Sequence, residues 1–193
     1  MQRLASLKGC ACLTALSVML FSARTAAQQP SLACGMPGAS TWQSSRPSPL
    51  DSVMLTVRGR VAAFCYSRPS ARGRSVDSLV PLGRVWRTGA NEPTTLTITD
   101  RLEVGGVMLS PGRYVILTVP ELDEWRIVFN TTPDTEPAKM FASLRQVAIG
   151  AGRIERIAPV EQFTIRAIAD SLDPAFTLEW GTRRVRVPVR AVP

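Results

Sequence analysis

The chain has 193 residues, with 23 Lys+Arg against 15 Asp+Glu, a formal net charge of +8, and no histidine at all. The missing histidine excludes Ser-His-Asp and Cys-His catalysis, histidine-ligated zinc and histidine as a general base. The basic residues are scattered, with no run interleaved with aromatics, which argues against a nucleic-acid partner and weakly for anionic ones.

The first 27 residues read as an export signal. Arg3 and Lys8 precede the apolar run Leu13 to Ala23, and Thr25-Ala26-Ala27 supplies small residues for a cut after Ala27. The run is too short for a membrane anchor, which needs roughly 20 apolar residues. No later stretch qualifies, so the mature chain is expected to lack a transmembrane segment and to lie in the periplasm or outside the cell. Arg3, Lys8 and Arg24 leave with the signal, so 20 basic and 15 acidic residues remain among 166, a net +5. That length suits one domain with a real core.

Residues 28–47 are rich in Pro, Ser, Gly and Gln without periodicity and read as a flexible leader. The leader carries Cys34, and Cys65 lies in the domain, 48–193. An oxidising compartment permits a bond between them, worth roughly 3–4 kcal/mol by the loop-entropy argument. The alternatives are a loose thiol at Cys34 beside a buried Cys65, or a lipid-anchored Cys34.

From Val53 the pattern has period two. Val53, Leu55 and Val57, a turn at Gly59, then Val61, Ala63 and Cys65 read as a hairpin. A polar loop from Ser67 to Arg74 and a short apolar piece, Ser78 to Gly83, follow. Thr94 to Thr99 is a β-branched strand. Leu102 to Val104 and Val107 to Leu109 reverse about Gly105-Gly106, and Ser110-Pro111-Gly112 turns the chain again. Arg113 to Val119 is apolar on both faces, as in a central strand. Trp125, Ile127 and Phe129 share a face of the next strand. Residues 131–140 form a polar loop. Ser143 to Ile149 reads as a strand, with a helix over Ala138 to Val147 as the alternative. Val160 to Ile168 turns Phe163 and Ile165 inward. In the last two runs Phe176, Leu178 and Trp180 alternate with Thr177 and Glu179, and Val185, Val187 and Val189 alternate with arginines. Pro188 and the outward Arg184, Arg186 and Arg190 suit a charged edge strand. The fold class is therefore all-β: a single β-sandwich or open barrel of about nine short, mostly antiparallel strands.

The densest run of chemically capable side chains is Arg84 to Thr95. It resembles a signature together with Tyr66-Ser67-Arg68-Pro69, Gly73-Arg74, Leu79-Val80-Pro81, Ser110-Pro111-Gly112-Arg113-Tyr114 and Asp123-Glu124-Trp125. The chain is similar, from about Ser48 to Val189, to the bacterial domain of unknown function family 2911. The resemblance implies a secreted or envelope-associated β-rich domain and no established activity.

Arg87, Asn91, Glu92, Arg68, Tyr66, Arg74 and Trp86 are the candidate ligand-binding residues. Arginine forks suit carboxylate, phosphate or sulfate, and tryptophan can stack on a sugar. The competing structural reading makes Trp86 core and Arg87–Glu92 an ion pair fixing the loop. Gly105-Gly106 lacks the helix of a phosphate loop. Glu121, Asp123 and Glu124 read as a solvated turn, and Asp170 with Asp173 is weak for calcium. Neither metal nor cofactor is implied. The leading expectation is a non-enzymatic binding domain for a small polar, anionic or glycan-like ligand or an envelope partner. The alternatives are a histidine-free hydrolase or lyase with Glu92 as base and Tyr66 as second group, and a structural adaptor whose arginine-rich last strand meets an acidic partner.

Overall fold

The computed structural model describes residue 34, residues 46–131 and residues 143–192. The expected signal, most of the leader and most of the 131–140 loop lie outside these residues, as does the first part of the helical alternative, 138–142.

Nine strands form one antiparallel order, β1-β2-β3-β6-β7-β8-β9-β4-β5, that does not close into a barrel. β1 (Leu50–Val57) and β2 (Arg60–Ser67) make the expected hairpin, with Val57 opposite Arg60. Both turn residues have positive φ, 48° at Arg58 and 79° at Gly59, the backbone whose twist matches a tight hairpin. A four-residue helix, α1 (Val76–Leu79), precedes β3 (Thr95–Ile98). β4 (Leu102–Val104) and β5 (Val107–Leu109) reverse at Gly105-Gly106. β6 (Gly112–Pro120) lies between β3 and β7 (Glu124–Thr131), which accounts for its apolar residues on both faces.

The expectation of uniformly short strands fails at the C-terminal end. β8 (Arg145–Ile168) joins two expected runs into 24 residues, and β9 (Ala175–Ala191) joins two more into 17. The segment Ala138 to Val147 is thus strand from Arg145 onward. Pro159 and Gly181 look like breaks in sequence. In the structure Pro159 falls where the β8–β9 register shifts, between Arg156 and Val160, and Gly181 opposes Val160 with φ 58°. Irregular pairing absorbs both residues without ending the strands.

β9 is also not an edge strand. It pairs with β8 through Arg186 and with β4 from Val189. Pro188 sits between these two ladders, where no N–H is required of it, and its carbonyl accepts from Gly105 N–H at 2.8 Å. The edges are β1 and β5.

The first half of β8 pairs with β7 and the second half with β9, so the sheet folds over itself. β2 then faces the back layer: Phe64 meets Phe176 with ring centroids 4.8 Å apart, and Tyr66 meets Phe163 at 5.6 Å. Phe64, Tyr66, Phe163 and Phe176 are all at most 2 % exposed. Close approach at the fold depends on Gly150 and Gly152. A Cβ on Gly150 would lie 2.7 Å from the Gly105 carbonyl oxygen, and one on Gly152 would lie 2.5 Å from Val185 Cγ1.

Gly150→Ala therefore forces the β4–β5 turn off β8. It should lower stability by about 1–3 kcal/mol, as overpacking does, read as an earlier urea midpoint. An unchanged midpoint would mean that this contact contributes nothing to the fold.

Candidate functional site

The stretch from Arg84 to Thr95 connects α1 to β3, and most of it is bound into the scaffold. Trp86 N–H donates to the Thr118 carbonyl at 2.8 Å and Thr118 N–H returns the bond at 2.9 Å, stitching the loop to β6. The Trp86 ring stacks on Trp180 (5.7 Å, 23°) and meets Phe163 and Trp125 edge-on at 5.0 and 6.1 Å. Trp86 thus joins the core aromatics, as the structural reading has it, with one side left half-buried. Among the described residues, the buried side-chain polar atom without a hydrogen bond is Trp125 Nε1, within this cluster.

Thr88 is fully buried and left-handed at φ 58°. Its hydroxyl donates to Thr118 Oγ1 at 3.2 Å, and its carbonyl accepts from Thr94 Oγ1 at 2.7 Å. A β-branched residue adopts this backbone only under constraint. Gly89 packs so tightly that a Cβ would lie 2.9 Å from Thr94 Oγ1 and 3.0 Å from the Ser67 carbonyl. Asn91, at φ 56°, is exposed, and its amide donates to the Ser48 carbonyl at 3.3 Å.

Glu92 is held by a residue the sequence did not single out. Arg46 donates a two-pronged fork, Nη1 to Oε1 and Nη2 to Oε2, both at 2.7 Å, and Ser67 Oγ donates to Oε2 at 3.1 Å. Burial pushes the Glu92 pKa up, but the Arg46 and Ser67 hydrogen bonds outweigh it and hold the carboxyl below its ordinary 4.5. The partner of Glu92 in an ion pair is therefore Arg46. Arg87, exposed, donates from Nη1 to the Asn91 carbonyl at 3.1 Å. The leader is pinned to the domain twice, by Arg46 and by the Cys34–Cys65 disulfide, whose Cα atoms are 5.5 Å apart.

Tyr66 and Arg68 belong to a different cluster. Side chains alternate along β2, so Ser67 and Cys65 face Glu92 while Tyr66 points into the sandwich. The Tyr66 hydroxyl accepts from Ile165 N–H at 2.9 Å and lies 3.3 Å from Asp51 Oδ2. Burial is the main reason its pKa is pushed up to about 12. Arg68 binds Asp51 at 3.3 Å and Thr164 Oγ1 at 2.9 Å. Among the described residues Arg74 bonds locally, from Nε to the Ala71 carbonyl at 3.0 Å. The candidate residues thus separate into an outer group around Glu92, an inner group around Asp51, and the solvent-facing Arg87 and Asn91.

Sequence reasoning missed Arg46, Asp51 and Glu179. Arg46 sits in an aperiodic Ser/Pro stretch that carries no signal. Asp51 alternates correctly on β1 directly opposite Tyr66, a partner that only the hairpin register reveals. Glu179 falls on the polar side of its run, yet it is 3 % exposed. Burial raises its pKa, but hydrogen bonds from Arg184 Nε (2.7 Å), Arg166 Nε (3.0 Å) and Thr177 Oγ1 (3.1 Å) bring it below the ordinary value. Arg184, Arg186 and Arg190 are accordingly ion-pair partners, of Glu179, Asp173 and Glu103 respectively.

Among the described residues, no group of three His, Cys, Asp or Glu side chains could hold a metal ion, and no helix is long and apolar enough to cross a membrane.

Because the folded carboxyl of Glu92 titrates below its unfolded value, its stabilisation is complete above about pH 4.5 and is lost as pH falls through the lower folded value. Glu92→Gln should cost about 1–3 kcal/mol at neutral pH. The gap to wild type should close only below pH 4.5 in chemical unfolding measured across pH. A gap constant down to strongly acidic pH would contradict the Arg46–Glu92 assignment.

No curated protein and no solved structure matches the chain. Residues 48–189 match the family described as "Protein of unknown function (DUF2911)". That span takes in the whole loop from Arg84 to Thr95 and every strand but the last residues of β9, and the chain belongs to this family.

Proposed function

We propose that the chain is an exported, non-enzymatic domain that binds a small polar, anionic or glycan-like ligand, or an envelope partner bearing such a group, through the loop that carries Arg87 and Asn91. The observation behind this reading is the way the loop is held. Thr88 takes left-handed backbone, at about 1–3 kcal/mol for a β-branched residue, Asn91 takes the same backbone, which asparagine tolerates, and Thr88, Gly89, Trp86 and Glu92 anchor the loop from below. A connection that only had to reach β3 would not need such constraint. The strain fixes the positions of an exposed guanidinium and an exposed amide, which together supply charge and both hydrogen-bonding senses.

Catalysis by Glu92 and Tyr66 has no comparable support. The two point to opposite faces of β2. Glu92 is held ionised by Arg46, and Tyr66 is 1 % exposed with its proton held more tightly than usual. Export is supported by the N-terminal apolar run and by the Cys34–Cys65 bond, since disulfides persist in oxidising compartments.

The test is calorimetric titration of the mature chain with small anions and anionic envelope oligosaccharides, beside Arg87→Ala. Measured well below its own melting temperature, the variant should lose roughly tenfold or more in affinity, the size of a charge-assisted fork. Equal affinity in the variant, or no binding across both sets of ligands, would overturn the proposal.

A further inference from the structure

Glu92 sits in a receptor whose parts are positioned without its partner. Ser67 is fully buried at the end of β2, and the loop that carries Glu92 packs on it, with Gly89 so close that a Cβ there would lie 3.0 Å from the Ser67 carbonyl. The loop is held by Trp86 on Thr118, by the Thr88 hydroxyl on Thr118 and by Thr94 on the Thr88 carbonyl. None of these bonds involves Arg46. The scaffold therefore presents the carboxylate and the Ser67 hydroxyl, 3.1 Å apart, as a ready-made pair.

Arg46 comes from outside that scaffold. It lies in a stretch without helix or strand just before β1, and ahead of the family span that begins at 48, whereas Ser67 and Glu92 both fall inside the span. Its side chain is nonetheless only 8 % exposed, and its fork meets both carboxylate oxygens at 2.7 Å. Two parallel N–H···O bonds to one carboxylate distinguish an arginine from a lysine. The residues that follow have fastenings of their own. The Ser48 carbonyl accepts from the Asn91 amide at 3.3 Å, and the Pro49 carbonyl accepts from Arg68 N–H at 2.9 Å. The Arg46 side chain is thus the removable part of the arrangement, and Glu92, 21 % exposed, borders solvent.

We propose that Glu92 and Ser67 form a guanidinium-binding site of the domain, which Arg46 fills as a tethered occupant and which accepts the arginine side chain of a partner polypeptide in its place. A tethered group acts at an effective concentration of about millimolar. Arg46 therefore holds the site against free arginine, and a partner competes by adding contacts of its own to the same fork. The site takes a cation, opposite in charge to the ligand proposed for Arg87, so each reading stands or falls by itself.

Calorimetric titration of the mature chain, leader included, tests this with L-argininamide as the probe and L-lysinamide as its control, well below each variant's melting temperature. Arg46→Ala should bind argininamide with a Kd on the order of 1 mM, and wild type at least tenfold more weakly, because its own fork is in the way. Lysinamide should bind Arg46→Ala several-fold more weakly than argininamide, since an ammonium cannot fork. The double variant Arg46→Ala/Glu92→Gln should bind neither. If Arg46→Ala does not fold unaided, argininamide present during refolding should restore its native circular dichroism and leave the double variant unfolded. The proposal is overturned if Arg46→Ala neither binds nor is rescued by the probe. It is equally overturned if the double variant responds as Arg46→Ala does, if wild type binds as tightly as Arg46→Ala, or if lysinamide serves as well as argininamide.

Discussion

A carboxylate drawn partly out of water must be matched by donors or it gives up its charge. Glu92 is matched by one fork from Arg46 and one hydroxyl from Ser67, and much of the molecule's organisation depends on that arrangement. The fork brings the segment before β1 against the loop before β3, although 46 residues separate the two partners in the chain. The disulfide between Cys34 and Cys65 secures the same segment on β2 two residues from Ser67. Arg87 and Asn91 ride on a loop whose far end is set by this pair and whose near end is set by Trp86 on β6.

The same economy shows in how the densest polar stretch in the chain is used. Each of its strongest groups is used in tying layers together. Trp86 closes an aromatic cluster with Trp180, Phe163 and Trp125, Thr88 spans to Thr118, and Glu92 holds the N-terminal segment. Tyr66 spans the sandwich to β8 through Ile165, and Asp51 and Arg68 complete that link. A general base needs a pKa near working pH and access to substrate. Glu92 is pulled the other way in pKa, and Tyr66 lacks access.

Folding the sheet on itself poses a separate problem, because long β8 must serve β7 with one half and β9 with the other. Glycine at 150 and 152 lets the β4–β5 turn and β9 approach its backbone, the change of partner falls at Arg153, and register shifts near Pro159 let the β8–β9 ladder continue past the proline. On the outward side of this region the arginines of β9 face acidic residues of β4, of the β8–β9 turn and of β9 itself, so a strongly basic run is largely neutralised.

Period-two alternation is a local property, and it was sufficient to place the hairpin at Gly59, β3, the Gly105-Gly106 reversal, β6 and β7, and to establish an all-β fold. The residue types of the Arg84–Thr95 loop were likewise enough to mark it as the distinctive part of the chain and to relate it to its family. What the pattern could not supply is which groups meet across the fold. That Glu92 takes Arg46 rather than Arg87, that Glu179 is buried beneath two arginines although it alternates on the polar side, and that β8 and β9 run through their prolines and glycines all depend on contacts distant in sequence. A hydrogen-bond partner or a bulge is chosen by the position of another strand, and that position exists only once the layers have packed.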